Sequence, residues 1–385
     1  MSREKVSHYV NGVRRAYAEA VDHIKKLGLQ GIEVSEQVVT AIIPPNFPHQ
    51  VAANDIPPTY IWKIGCKNPK KIWYIESGMH GVELGAGCIA QEEILRLIAR
   101  DPYFLEHNLV VFVCNVNPLG SFLGDRNGFT AEGQRADPVR PKPPKSLIWS
   151  RYLSKTLTLD APDFWSVAKS VARLCLREIW NPGKTHIDIL TGQTTHSGLD
   201  FFAAAKPPLP AKLTHEILTS LINDYPNTDV IRIELHSGDG KYGKSLCYMG
   251  EEDQFLYQVL QQATGVPPTV LIRLLGETFA ENHFLKNIFN SLAAKYTGFV
   301  LEFGTSRLTG LFNKLDLLML ILLRTSLYKD PNHPNAPRVI DGILEGFSPS
   351  DPVWVQSVRT EVERIWKILL WRSDARAPSP APAPS

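Results

Sequence analysis

Ile72-Trp73-Tyr74-Ile75-Glu76-Ser77-Gly78-Met79-His80-Gly81-Val82-Glu83 decides how this chain is read. The opening residues are β-branched and aromatic, and the run stops at Gly78, which predicts a strand over 71–76. A helical pattern follows at once, with Ile89, Ile94, Leu95, Leu97 and Ile98 set among Glu92, Glu93 and Arg96. His80 and Glu83 therefore lie on the turn between a strand and a helix. In open α/β sheets, ligands bind beyond the carboxyl ends of the strands. An imidazole and a carboxylate three residues apart on a tight turn can converge on one cation; zinc accepts that pair and needs at least one ligand more. His-x-x-Glu alone is a loose pattern, so the rest of the chain decides.

Three further strands are expected. Leu109 to Cys114 is wholly apolar, as suits a central strand covered on both faces, and it ends in the polar turn Asn115-Val116-Asn117-Pro118-Leu119-Gly120. Asp229 to Leu235 ends at His236, and Tyr296 to Gly304 carries Glu302 near its end. Helical patterns cover 8–28, 161–180, 211–224, 252–263, 309–328 and 352–371. Residues 30–63 read as extended or irregular, broken by five prolines, and Gly192 to Gly198, with His196, reads as a polar loop. Residues 121–150 are loop-like and basic, with Arg135, Arg140, Lys142 and Lys145 close together; a solvated excursion and a substrate-facing flap both suit them.

The alternation of strands and helices predicts an α/β fold, a mainly parallel mixed sheet with helices on both faces. One domain is expected over residues 1–372, with an excursion at 121–185, followed by an Ala/Pro/Ser tail at 373–385 that buries nothing. The strand ends then share one rim, which collects His80, Glu83, Asn115, Asn117, His236 and Glu302.

Composition narrows the partners. The formal net charge of +2 on 385 residues gives no reason to expect nucleic acid. The five cysteines, Cys66, Cys88, Cys114, Cys175 and Cys247, are scattered, odd in number and without C-x-x-C spacing. That argues against a disulfide framework and a thiolate zinc site, and for a reducing compartment. The N-terminus has no apolar signal core, and the most apolar run, 315–323, is too short to cross a bilayer and carries Asp316. A cytoplasmic protein without membrane contact is expected; oligomeric state has no signature here.

Two histidines and a glutamate on that rim, His80, Glu83 and His236, make a three-ligand zinc site with one open position, one zinc per chain. Water in the open position becomes a nucleophile near neutral pH. Glu302, within reach, can take its proton and pass it to a leaving amine, and a cationic side chain can share the charge on the carbonyl oxygen. The arrangement suits hydrolysis of a peptide or small amide. A rival is in view: Gly238-Asp239-Gly240-Lys241-Tyr242-Gly243-Lys244-Ser245 satisfies the phosphate-loop pattern G-x-x-x-x-G-K-S after a strand. Such a loop needs a helix starting at the Lys-Ser, whereas Leu246 to Gly250 reads as a strand ending in a turn. The preceding strand alternates Arg232 and Glu234 with apolar residues, unlike a strand buried on both sides.

These stretches resemble the zinc carboxypeptidase superfamily, and most of all its little-characterised bacterial carboxypeptidase-like branch. The matching pieces are Ser77 to Leu84, Asn115 to Gly120, Gly192 to His196, Glu234 to Gly243, and Leu301-Glu302-Phe303-Gly304-Thr305, in family order. The resemblance implies zinc on His80, Glu83 and His236, with Glu302 as general acid/base. It puts Arg126 at the position of the oxyanion-stabilising arginine, and Asn117, His196, Tyr242 and Thr305 in stretches expected to contact substrate. The Asn-Arg pair that grips a terminal carboxylate in carboxypeptidases has no clean match; Arg135 is nearest, displaced by a residue. A deacylase of acylated amino acids and a zinc-binding relative without turnover are the alternatives on the same site.

Overall fold

A computed structural model describes residues 2–45, 47, 51–133, 135–136, 208–249, 296–306 and 336–374, with 169, 172, 257–258, 260–261 and 334 between them. The basic residues Arg140, Lys142 and Lys145, the loop with His196, the apolar run 315–323 and most of the expected helices at 161–180, 252–263 and 309–328 lie outside these residues.

Nine strands and six helices are named here among the described residues. They are α1 (Ser2–Leu27), β1 (Ile32–Val39), β2 (Thr59–Cys66), β3 (Lys71–Ser77), α2 (Leu84–Arg100), β4 (Asn108–Cys114), α3 (Pro118–Leu123), β5 (Gly128–Phe129), β6 (Arg135–Ala136), α4 (Leu209–Asp224), β7 (Asp229–Lys241), β8 (Ser245–Met249), β9 (Tyr296–Ser306), α5 (Ala336–Phe347) and α6 (Pro352–Asp374). Seven strands form one sheet in the order β1-β2-β4-β3-β7-β9-β8. Its centre, β4-β3-β7-β9, is parallel, and β1, β2 and β8 are antiparallel. The fold is therefore α/β with a mixed sheet, and the carboxyl ends of its four central strands share one rim. β5 and β6 form a separate two-stranded ribbon.

Period-2 alternation splits the central strands between two covers. Trp73, Ile75, Val110, Phe112, Ile233 and Leu235 join a core with residues of α1, α2 and α6, among them Val13, Leu95, Trp354 and Trp366. Ile72, Tyr74, Leu109, Val111, Val113 and Val230 pack against Leu218, Leu221 and Ile222 of α4. Coverage on both sides explains why β4 is apolar at nearly every position.

Several boundaries differ from the sequence reading. Residues 30–63, read as extended or irregular, hold β1 and the start of the antiparallel β2, which runs on to Cys66. Asn117 caps α3, whose Pro118 cannot donate in any case, so 118–123 is helical rather than loop. β7 does not stop at His236 but runs to Lys241, with a register shift between Gly238 and Lys241. Arg232 and Glu234 are 3% and 4% exposed, so β7 is buried on both faces and its charges are internal. α6 reaches Asp374, so 373–374 are helical; 375–385 lie outside the described residues. No helix among the described residues is long and apolar enough to cross a membrane.

Candidate metal centre

β3 delivers its chain to the rim, and Gly78 turns it at φ +75°, a region that costs a side-chain-bearing residue energy. His80 follows in extended conformation and caps a single 3₁₀ turn, Gly81–Glu83, which runs straight into α2. A Cβ on Gly81 would lie 2.1 Å from the Gly120 carbonyl carbon and 2.2 Å from the Ser121 nitrogen. Glycine is therefore what lets this turn press against α3. Val82 N–H donates to the Asp125 carbonyl at 3.2 Å, and the Asn117 amide donates to the Met79 carbonyl at 3.3 Å and to that of Asn127 at 2.9 Å. The turn is thus tied to the loop after β4 by backbone and side chain.

His236 comes from β7, the strand next to β3. His80 Nδ1 lies 3.1 Å from Glu83 Oε1, and His236 Nδ1 lies 2.8 Å from Glu83 Oε2. The imidazoles meet edge to face, 4.8 Å between centroids. One donor atom from each of the three residues falls within 4.8 Å of the others, and all three side chains are buried. Among the described residues this is the group of His, Cys, Asp and Glu able to hold a metal ion. Two imidazole nitrogens and one carboxylate, brought together from two adjacent strand ends, fit the donor set of a zinc site with an open position.

The three side chains act on one another's charge. Burial opposes ionisation of Glu83, but His80 and His236 outweigh it and hold the carboxyl well below the usual carboxylate range. Burial likewise pushes His236 down, and Glu83 together with Glu234 reverses this and raises it well above the ordinary imidazole value. A cation entering here competes with protons on the imidazoles.

The other sequence candidates fall in several places. Arg126 Nε is 3.6 Å from Glu83 Oε1, with the side chain 13% exposed, so the loop after α3 does bring this guanidinium to the cluster. Glu302 is the register partner of His236 across the β7–β9 ladder. Side chains paired across a parallel ladder project to the same face, so Glu302 stands beside His236 on the α4 side. Asn117 is 1% exposed, and its amide is engaged in the turns just described. Tyr242 donates to Asp351 Oδ2 at 2.7 Å, and Thr305 donates to the Gly238 carbonyl at 3.2 Å. Arg135 pairs through its backbone with Phe129 in the small ribbon.

Sequence reasoning missed the groups behind His236. Its Nε2 lies 3.2 Å from Glu234 Oε2. Arg232 pairs with Glu234 and also with Glu76, at 2.6 Å from Nε. Glu76 in turn accepts from Thr214 at 2.8 Å and Tyr74 at 3.1 Å. The available signal was a Glu closing an otherwise apolar strand next to an Arg-x-Glu-x-His strand.

No protein-family profile and no curated protein matches the chain. Solved structures do. A metallo-carboxypeptidase from Burkholderia cenocepacia is similar at 12% identity over 78% of this chain, with TM-score 0.36; the chain spans 65% of that protein's length. Carboxypeptidase A from Helicoverpa armigera is similar at 9% identity over 84% of this chain and 71% of its own, with TM-score 0.40. A protein from Shewanella amazonensis SB2B, described as of the succinylglutamate desuccinylase/aspartoacylase family, is similar at 16% identity over 77% of this chain and 71% of its own, with TM-score 0.31. The chain is similar to metallo-carboxypeptidases and to desuccinylase/aspartoacylase-type proteins.

Proposed function

We propose that the chain is a zinc-dependent hydrolase that cleaves a peptide or small amide bond. One observation carries this reading: the Nδ1 atoms of His80 and His236 both meet the Glu83 carboxylate on a buried strand-end rim. In this reading His80, Glu83 and His236 hold one zinc per chain. Zinc bound there supplies a Lewis acid and a water of lowered pKa.

The remaining chemistry belongs to the chain. Glu302 accepts the proton of the attacking water and returns it to the departing amine, which needs a carboxylate within hydrogen-bond reach of both. Its place beside His236 on the ladder supports that role. Arg126 gives the developing oxyanion a positive charge already held in position, so it favours the transition state over the substrate. The buried surroundings strengthen both effects by excluding water.

Metal analysis of purified protein tests the reading. About one zinc per chain is expected, and His80→Ala, Glu83→Ala or His236→Ala should each lower occupancy strongly. Folded wild-type protein with no affinity for zinc overturns it. A panel of peptides with free carboxyl ends beside N-acylated amino acids then separates peptidase from deacylase chemistry.

A further inference from the structure

A histidine that binds a metal through one nitrogen needs its other N–H held, because that bond sets the tautomer and aims the ring. In His236, Nδ1 faces Glu83 at 2.8 Å and Nε2 faces Glu234 at 3.2 Å. The two nitrogens therefore have separate partners on opposite sides of the ring.

Glu234 is not an isolated carboxylate. Arg232 binds its other oxygen and also Glu76, and Glu76 is fixed by Thr214 on α4 and by Tyr74. Glu76, Arg232 and Glu234 are 0%, 3% and 4% exposed. One guanidinium between two carboxyl groups is buried beneath the imidazole. Burying such a set contributes little to stability compared with apolar residues of the same size. Its position, directly against the far nitrogen of a metal-ligand candidate, gives it a use.

We propose that Glu234, itself braced by Arg232 and Glu76, is a positioning residue that keeps the His236 proton on Nε2 and turns Nδ1 toward the cation. The inference rests on the zinc reading above. Glu234 touches neither substrate nor metal; it acts through His236.

Two measurements test it. Nitrogen-15 NMR of histidine-labelled, zinc-loaded wild-type protein is expected to show the His236 proton on Nε2. Chelator competition is expected to show zinc binding weakened about ten- to a hundredfold in Glu234→Gln, the usual size for loss of such a partner. The metal-free unfolding midpoint should change little, because Arg232 keeps Glu76. A merely structural role would do the reverse, lowering the midpoint and leaving zinc affinity intact, and would overturn the proposal. A proton on Nδ1 in the wild type overturns it whether or not the variant folds. Wild-type protein that binds no zinc overturns the metal reading and this inference together; zinc affinity equal in wild type and Glu234→Gln overturns this inference alone.

Discussion

Two glycine-bearing segments follow adjacent parallel strands of the same sheet and are built for different ends. After β3, the segment Gly78 to Glu83 enters a helix, and its side chains His80 and Glu83 are turned toward one point. Toward the end of β7, the segment Gly238 to Ser245 spells a phosphate-binding pattern but enters strand β8. Its amides are already spent: Gly243 N–H donates to the Gly304 carbonyl at 2.9 Å and Lys244 N–H to the Lys241 carbonyl at 2.9 Å. A phosphate loop needs those donors, and a helix terminus behind them, aimed at the ligand. The difference teaches that such a pattern carries chemistry only with the element that follows it.

The comparison breaks most visibly at Glu302, on the strand beside β7. Glu302→Gln keeps the shape and, in the proposed hydrolase, removes the base, so hydrolysis should fall by about a hundred- to ten-thousandfold, the span of general acid–base catalysis. Zinc content should stay that of the wild type. Loss of zinc in this variant would make Glu302 a ligand instead.

Arg126 sharpens the β3 side. Its guanidinium reaches Glu83 at 3.6 Å. Arg126→Ala should lower kcat by about a hundredfold with little change in KM, by analogy with removing one oxyanion donor. A change in KM alone would make Arg126 a substrate-binding group, and unchanged kinetics would remove it from the mechanism.

Gly81 tests why the β3 turn can carry a site at all. The Cβ of Gly81→Ala would fall 2.1 Å from backbone that cannot step aside. A destabilisation of about 1–3 kcal/mol is expected, as for other overpacked sites, with zinc affinity reduced because His80 and Glu83 flank the shift. A denaturation midpoint equal to that of the wild type would show that α3 yields easily.

How much of this was legible in the sequence differs between the two segments. Strand β4 and helix α2 announced themselves through apolar period and length, and the parallel centre followed from alternation. His80, Glu83 and His236 were legible because each stands where a strand pattern stops. Glu234 and Arg232 were not, because alternating charge on a strand ordinarily means a solvated face. Here Arg232 pairs with Glu234 and with Glu76 on the neighbouring strand, and pairing across strands separated by about 150 residues leaves no local mark. The extension of β7 past His236 was hidden for a related reason: glycines ordinarily interrupt a strand pattern, yet Gly238 and Gly240 both lie in a strand at positive φ.

The smallest effect is expected at Lys244, the lysine of the phosphate pattern. Its ammonium lies 3.3 Å from Glu361 on α6, with the lysine side chain 64% exposed. Glu361 also accepts from Ser245 at 2.7 Å and pairs with Arg364. Burial opposes its charge, but Ser245, Arg364 and Lys244 outweigh that and lower its pKa. A carboxyl lowered on folding stabilises above its unfolded-state pKa and loses that contribution as pH falls through the folded value. Lys244 is one partner of three and largely solvated, so Lys244→Ala should cost no more than about 1 kcal/mol at pH 7. At a pH low enough to protonate Glu361 the cost should vanish. ATP and GTP should bind neither wild type nor variant, since Lys244 faces a carboxylate and the adjoining amides are paired. Nucleotide binding to the wild type that disappears in Lys244→Ala would reverse the comparison and make the β7 segment the functional one.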